Sequence, residues 1–176
     1  MEKNEVILVD KKDRKIGVEE KLKAHREGKL HRCFSIFIFN KNRELLIQRR
    51  AKTKYHSGGL WSNTCCSHPL PGKNLVKEAQ RRLKEEMGIK SNLKEIFSFI
   101  YKSKVKAKRG YLIEHEFDHV FVGKFNGNPK PDSAEAEDWK WVTLKELKKD
   151  VKKNPKKYSE WFRIILNKLI KEYGFQ

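Results

Sequence analysis

Within Trp61-Ser62-Asn63-Thr64-Cys65-Cys66-Ser67-His68-Pro69 a thiol stands two residues before an imidazole. Side chains alternate in direction along an extended chain. Cys66 and His68 then share one face, and Cys65 points the other way. A reactive thiol beside a metal-liganding histidine fits that arrangement. A half-buried strand with packed cysteines fits it as well, since free cysteine is among the most buried residue types.

Other groups widen the chemistry. His25 and His31 precede an apolar run, and Glu114 and Glu116 are two apart with His115 between them. On a strand the two glutamates share a face and His115 turns away. With His68 they make a candidate five-ligand site, a donor set that suits Zn2+, Mn2+ or a similar divalent ion. Each residue alone reads as ordinary surface or core, and only the joint pattern carries the metal reading. Lys21, Arg49, Arg50 and Lys54 surround the approach to the cysteines, and Arg81 and Arg82 lie on a predicted helix. Arginine grips two phosphate oxygens at once, while lysine acts as a point charge. Glu86 on that helix can hold Mg2+ against a diphosphate. A generic basic surface is the competing reading. Cys66 and Glu116 are the acid–base candidates, and a nearby cation lowers a thiol's pKa. Tyr101 and Trp161 are aromatic; Trp161 reads either as a core residue or as a π face for a developing cation.

The elements that must position these groups follow from pattern. Glu5–Asp10 reads as a short strand, Lys11–Lys15 with Gly17 as a turn, and Val18–Gly28 as a polar segment. Phe34–Phe39 is aromatic and β-branched, a buried strand. Asn40–Arg43 reads as a hairpin turn and Glu44–Arg50 as the returning strand. Asn74 caps a helix over Leu75–Met87 that Gly88 ends. Leu75, Ala79, Leu83 and Met87 form its core stripe, with Glu78, Arg82, Glu85 and Glu86 off it. Glu95–Tyr101 is a strand, Lys102–Gly110 a basic loop, Tyr111–Phe125 a long strand and Trp139–Val142 another. Thr143 and Glu146 make a capping box, and a final amphipathic helix runs over about Tyr158–Tyr173. That order predicts an α+β fold, a mixed β-sheet sandwich flanked by helices in one domain spanning 1–176.

The bulk numbers bound the partners. The 176 residues carry a formal charge of +18, with 38% hydrophobic and 36% charged residues. Such a balance favours anionic partners, a phosphorylated small molecule among them. A nucleic-acid module resting on the Lys-rich C-terminal third is the alternative, and it gives no reason for the Cys, His and Glu pattern. Three cysteines, two of them adjacent, make no disulfide framework and fit a reducing compartment. Met1-Glu2-Lys3-Asn4 is charged with no signal-peptide core behind it, and no segment approaches the length of a membrane span. The expectation is a soluble, cytoplasmic monomer.

The chain resembles the type I isopentenyl-diphosphate delta-isomerases of the Nudix superfamily. The motifs that carry the resemblance are Lys21-Leu22-Lys23-Ala24-His25, His31, Arg49-Arg50-Ala51, Asn63-Thr64-Cys65-Cys66-Ser67-His68-Pro69, Arg81-Arg82-Leu83-Lys84-Glu85-Glu86-Met87-Gly88, Glu114-His115-Glu116 and Ser159-Glu160-Trp161. It implies interconversion of isopentenyl and dimethylallyl diphosphates through a tertiary carbocation. It further implies that Cys66 and Glu116 transfer the protons, that Tyr101 assists Glu116, and that Trp161 faces the cation. His25, His31, His68, Glu114 and Glu116 correspond to ligands of one divalent ion, Mn2+, Zn2+ or Mg2+. Glu86 corresponds to the carboxylate near a diphosphate-associated Mg2+, and Lys21, Arg50, Lys54 and Arg82 match diphosphate-binding positions. The chain departs from the family at His56, where a bulkier aromatic is common. Arg81-Arg82 stands where a Nudix hydrolase carries Arg-Glu. A Nudix hydrolase of a nucleoside diphosphate derivative is the alternative activity, and the missing glutamate counts against it.

Overall fold

A computed structural model describes residues 4–173. Met1–Lys3 of the charged N-terminal segment lie outside the described residues. Strand β1 (Glu5–Val9) pairs with β2 (Lys15–Glu20), and helix α1 (Lys21–Glu27) leads into β3 (His31–Phe39). Next come β4 (Leu45–Arg50), β5 (Trp61–Ser62), β6 (Cys65–Ser67) and α2 (Leu75–Met87). The long hairpin of β7 (Lys94–Lys106) and β8 (Tyr111–Lys124) follows, then β9 (Ala136–Val142), α3 (Leu144–Lys153), a 3-10 turn at Pro155–Lys157 and α4 (Glu160–Tyr173).

β3 is the hub. It pairs antiparallel with β1, β4 and β6, and parallel with β8 from His31↔Glu116 to Phe39↔Lys124. Among the described residues, all nine strands join one mixed sheet. The sandwich is thus helix on sheet on helix rather than sheet on sheet. Alternation along β3 explains why. Phe34, Ile36 and Ile38 pack with Ala79, Leu83 and Met87 of α2, while Phe37 packs with Phe162, Ile165 and Leu166 of α4. Both faces are buried, so the run reads as continuously apolar. Burying one such Leu or Phe side chain contributes about 1.5–3 kcal/mol.

Helix α2 has the predicted bounds. The Asn74 side chain accepts from the Lys77 N–H, and Gly88 closes the helix at φ 68°. A Cβ at Gly88 would stand 2.8 Å from the Lys130 carbonyl oxygen, so both the dihedral and the space call for glycine. The capping box of Thr143 and Glu146 also forms.

Four expectations need correction. Val18–Gly28 holds the end of β2 and the whole of α1. Glu20 caps α1 through the Leu22 and Lys23 N–H groups and Gly28 ends it at φ 64°. A glutamate cap on a seven-residue helix leaves little periodic signal. Gly17 lies within β2 opposite Leu8 rather than in the turn. Lys102–Gly110 is mostly strand: Lys102–Lys106 continues β7, paired residue by residue with His115–Tyr111. Its Lys-Ser-Lys-Val-Lys alternation puts Ser103 and buried Val105 inward and the lysines outward, which is a half-buried strand rather than a loop. The last helix begins at Glu160, after the 3-10 turn set by Pro155. No helix among the described residues is long and apolar enough to cross a membrane.

Candidate active site

Sheet register brings the chemistry together. Tyr101 of β7, Glu116 of β8 and His31 of β3 stand in one cross-strand row, through the pairs Tyr101↔Glu116 and His31↔Glu116. Two residues further along β3, Cys33 and Ser35 follow on the same face, and Ser35 pairs with Cys66. Strand alternation then sorts the two cysteines. Cys66 lines a cavity of about 60 Å³, whereas Cys65 is fully buried among Ala79 and Leu83 under α2.

Every residue given a site role in the sequence, except His31, Arg49 and Arg81, lines that cavity. His31 lies behind it, its Nε2 3.2 Å from His68 Nε2. Arg49 and Arg81 do not reach the cavity. Arg49 pairs with Glu137 at 2.9 Å, and Arg81 pairs with Glu78 and Glu85 along α2.

Four candidate ligands converge. The donor atoms of His25, His31, His68 and Glu116 all lie within 4.8 Å of one another. His25 Nδ1 bonds the Lys21 carbonyl at 2.7 Å and His31 Nδ1 bonds the Lys29 carbonyl at 2.8 Å. A carbonyl only accepts, so each Nδ1 carries the proton and each Nε2 presents a lone pair to the cluster. His25 Nε2 is buried with no hydrogen-bond partner. Burial lowers His25 to about 4 and His68 to about 3, so both imidazoles are neutral at pH 7. Burial opposes charge on Glu116, but its contacts with His31 and His68 outweigh it and hold the carboxyl well below the usual range. The lone pairs of His25 and His31, the Nε2 edge of His68 and the Glu116 carboxylate converge on one point, and the donor set fits a divalent metal ion. Glu114, the fifth expected ligand, stands outside this group of four. Its Oε1 is 3.5 Å from His56 Nε2, its Oε2 is buried without a partner, and burial with the charge of Glu116 raises its pKa.

The acid–base candidates sit around the same space. Burial pushes the Cys66 thiol up to about 12, so it carries its proton at neutral pH. The Tyr101 phenol donates a short hydrogen bond to Glu116 Oε2. Trp161 donates from Nε1 to Asn63 Oδ1 at 3.2 Å, and the Arg50 guanidinium lies 5.0 Å from its ring centroid. Lys21, Arg50, Lys54 and Arg82 form the cationic wall. Arg82 bonds Glu86 at 2.6 Å and Glu135 at 3.3 Å, and Lys54 also bonds Glu135.

The sequence of this chain matches the NUDIX domain over residues 29–162. It is 53% identical to isopentenyl-diphosphate Delta-isomerase 2 of Aromatoleum aromaticum, covering 95% of this chain and 87% of that one. It is 47% identical to isopentenyl-diphosphate Delta-isomerase of Serratia proteamaculans, covering 93% and 90%. The chain belongs to the isopentenyl-diphosphate Delta-isomerase family, built on a NUDIX domain. Its fold also matches the MutT protein of Methanosarcina mazei with a TM-score of 0.63 and 18% identity, over 82% of this chain and 95% of that one. That likeness concerns the fold alone.

Within this family fold, Glu135 in the cavity wall and Asp118 beneath it are two residues that the motifs do not single out. Glu135 follows a Pro-Asp-Ser turn with no motif around it, yet it bridges Lys54 and Arg82. Asp118 is fully buried below Glu116, accepts from the Ser35 hydroxyl at 2.9 Å, and is raised to about 7 by burial and by Glu116. Its place two residues after Glu116 on a strand was the available clue, since it predicts the same face.

Proposed function

We propose that this chain interconverts isopentenyl diphosphate and dimethylallyl diphosphate, with Cys66 and Glu116 as the proton-transfer pair. Family membership supports the activity. The residue assignment is supported by one observation: a protonated thiol and an ionised carboxylate share a single buried cavity with Trp161, beneath a wall of cations.

The chemistry sets the requirements. An alkene is a weak base, and a tertiary carbocation is captured by any water that reaches it. The cavity must be dry, and its groups must be fixed before the proton moves. One of Cys66 and Glu116 delivers a proton to the terminal alkene carbon, and the other removes a proton from carbon 2. The roles exchange when the reaction runs backwards. The phenol of Tyr101 holds Glu116 Oε2 and shares its proton load. Trp161 presents its π face to the cation. Lys21, Arg50, Lys54 and Arg82 bind the diphosphate, which does no chemistry itself and supplies positioning energy.

His25, His31, His68 and Glu116 would hold a divalent ion, Zn2+, Mn2+ or Mg2+, with Glu114 as the further ligand. Such an ion fixes Glu116 and stabilises its charged form. Glu86 would meet a second ion, Mg2+, shared with the diphosphate. Arg82 stands where a hydrolase of this fold has a glutamate, so a guanidinium bonded to Glu86 and Glu135 takes the place of that carboxylate, which supports isomerisation over diphosphate hydrolysis. We read the enzyme as a cytoplasmic monomer with no nucleic-acid or membrane partner.

Incubation with isopentenyl diphosphate in heavy water tests this reading. Dimethylallyl diphosphate carrying deuterium in a methyl group, seen by NMR, is the expected product. Unchanged substrate, or release of phosphate from a nucleotide panel at enzymatic rates, would overturn it.

A further inference from the structure

We propose that His56 is a positioning residue for Glu114, holding that carboxylate for the metal centre. The inference rests on the reading of Glu114 as a ligand. His56 is 7% exposed and has a polar partner on each ring nitrogen. Nδ1 is 3.2 Å from the Ser57 hydroxyl, and Nε2 is 3.5 Å from Glu114 Oε1. An ionised Glu114 carboxylate only accepts, so the pairing places the ring proton on Nε2, toward Oε1, and leaves Nδ1 to accept from the Ser57 hydroxyl. His25 and His31 have the opposite tautomer, with Nε2 bare. His56 is therefore the histidine of this cavity built to donate rather than to ligate. With Oε1 held, Glu114 keeps its buried, unpartnered Oε2 for a cation.

The loop around His56 is shaped for that task. Ser57 adopts a left-handed backbone, φ 52°, which is costly for a residue with a Cβ. A Cβ on Gly58 would lie 2.8 Å from the Lys52 carbonyl oxygen, and Gly59 has φ 78°. These three residues fold the loop back on itself. The β7–β8 hairpin tip pins it from outside: the Lys108 N–H donates to the Tyr55 carbonyl at 3.1 Å, and His56 bridges Ala107. From inside, the Trp161 ring meets the imidazole edge-on at 5.6 Å. A ring so confined sets the carboxylate it touches, as outer partners of metal ligands do.

The test is Mn2+ binding to the full chain, followed by electron paramagnetic resonance, for wild type, His56→Phe, His56→Gln and Glu114→Gln. His56→Phe is expected to weaken Mn2+ binding about ten- to hundred-fold. His56→Gln should restore most of it, because the amide N–H reaches where Nε2–H did. Wild-type Mn2+ affinity in His56→Phe, with weak binding in Glu114→Gln, overturns the positioning role and leaves Glu114 a ligand. Wild-type affinity in Glu114→Gln removes the ligand reading and this inference with it. Circular dichroism melting checks folding; if His56→Phe does not fold, His56→Leu serves as the variant without a donor. Deuterium incorporation is scored separately, so failure of the isomerase reading shows there and not in the Mn2+ titration.

Discussion

Tyr101 and Glu116 face each other across the β7–β8 ladder, and the phenol donates to one carboxylate oxygen while the other oxygen lies 3.0 Å from His68 Nε2. One carboxylate thus serves two environments. Oε2 belongs to the proton-transfer side and Oε1 to the metal cluster.

Removing the negative charge from Glu116 should therefore damage both. Glu116→Gln is expected to lower kcat by at least about 10²–10⁴-fold, the range of a general acid–base group, and to weaken metal binding. Tyr101→Phe should lower kcat while leaving metal content unchanged, since only Oε2 loses its partner. Steady-state kinetics with elemental analysis separates the two. A Tyr101→Phe protein that loses its metal would contradict this division of the carboxylate.

The adjacent cysteines should behave oppositely. Cys66→Ala is expected to lose nearly all turnover with its melting temperature preserved. Cys65→Ala should keep most turnover and lose about 1 kcal/mol of stability, because Cys65 is core packing under α2. Kinetics and urea melts of both variants check this. A dead Cys65→Ala would mean that the face assignment is wrong.

Metal removal should abolish activity and also loosen the fold. Three imidazoles and the Glu116 carboxylate converge within 4.8 Å, so an ion that binds only the folded state adds stability through its occupancy. Chelation followed by differential scanning calorimetry should show a lower Tm, reversed by adding back Mn2+ or Zn2+. Full activity in protein shown by elemental analysis to be metal-free would remove the cluster from the mechanism.

A prediction away from the site concerns pH. Asp150 at the end of α3 accepts from the Tyr158 phenol at 2.5 Å and from the Asn154 amide at 2.6 Å, and these bonds hold its carboxyl below the usual range. A lowered folded-state pKa adds stability above the unfolded value of about 3.9, and that stability is lost as pH falls through the folded value. Asp150→Asn should thus cost about 1 kcal/mol at pH 7, a figure kept small because the site is solvent-screened, and less at about pH 2, below the unfolded value. Urea melts at the two pH values decide it. An equal loss at both would show that the carboxylate's charge plays no part.

Much of the site was legible because strand alternation is local. Cys66 with His68, and Glu114 with Glu116, follow from period two once each segment is extended. Helix α2 was legible because Asn74, the four-residue apolar stripe and Gly88 are all encoded within its own length. The Lys102–Lys106 strand is hidden in the sequence because its high charge masks an alternation that only pairing with β8 makes decisive. Helix α1, which carries Lys21 and His25, is not legible in the sequence because seven residues capped by a glutamate give almost no periodic pattern.

By itself the sequence determined which residue types were available, which neighbours share a face, and which family the chain resembles. Only the tertiary structure decided which of five candidate ligands converge and that Glu114 turns toward His56 instead. It also decided that Arg49 and Arg81 spend their charge on surface carboxylates while Arg50 and Arg82 reach the cavity. The reason is physical. Face and cap are properties of a few consecutive residues, whereas convergence depends on the register between β3, β7 and β8, which is fixed by packing on both sides of the sheet.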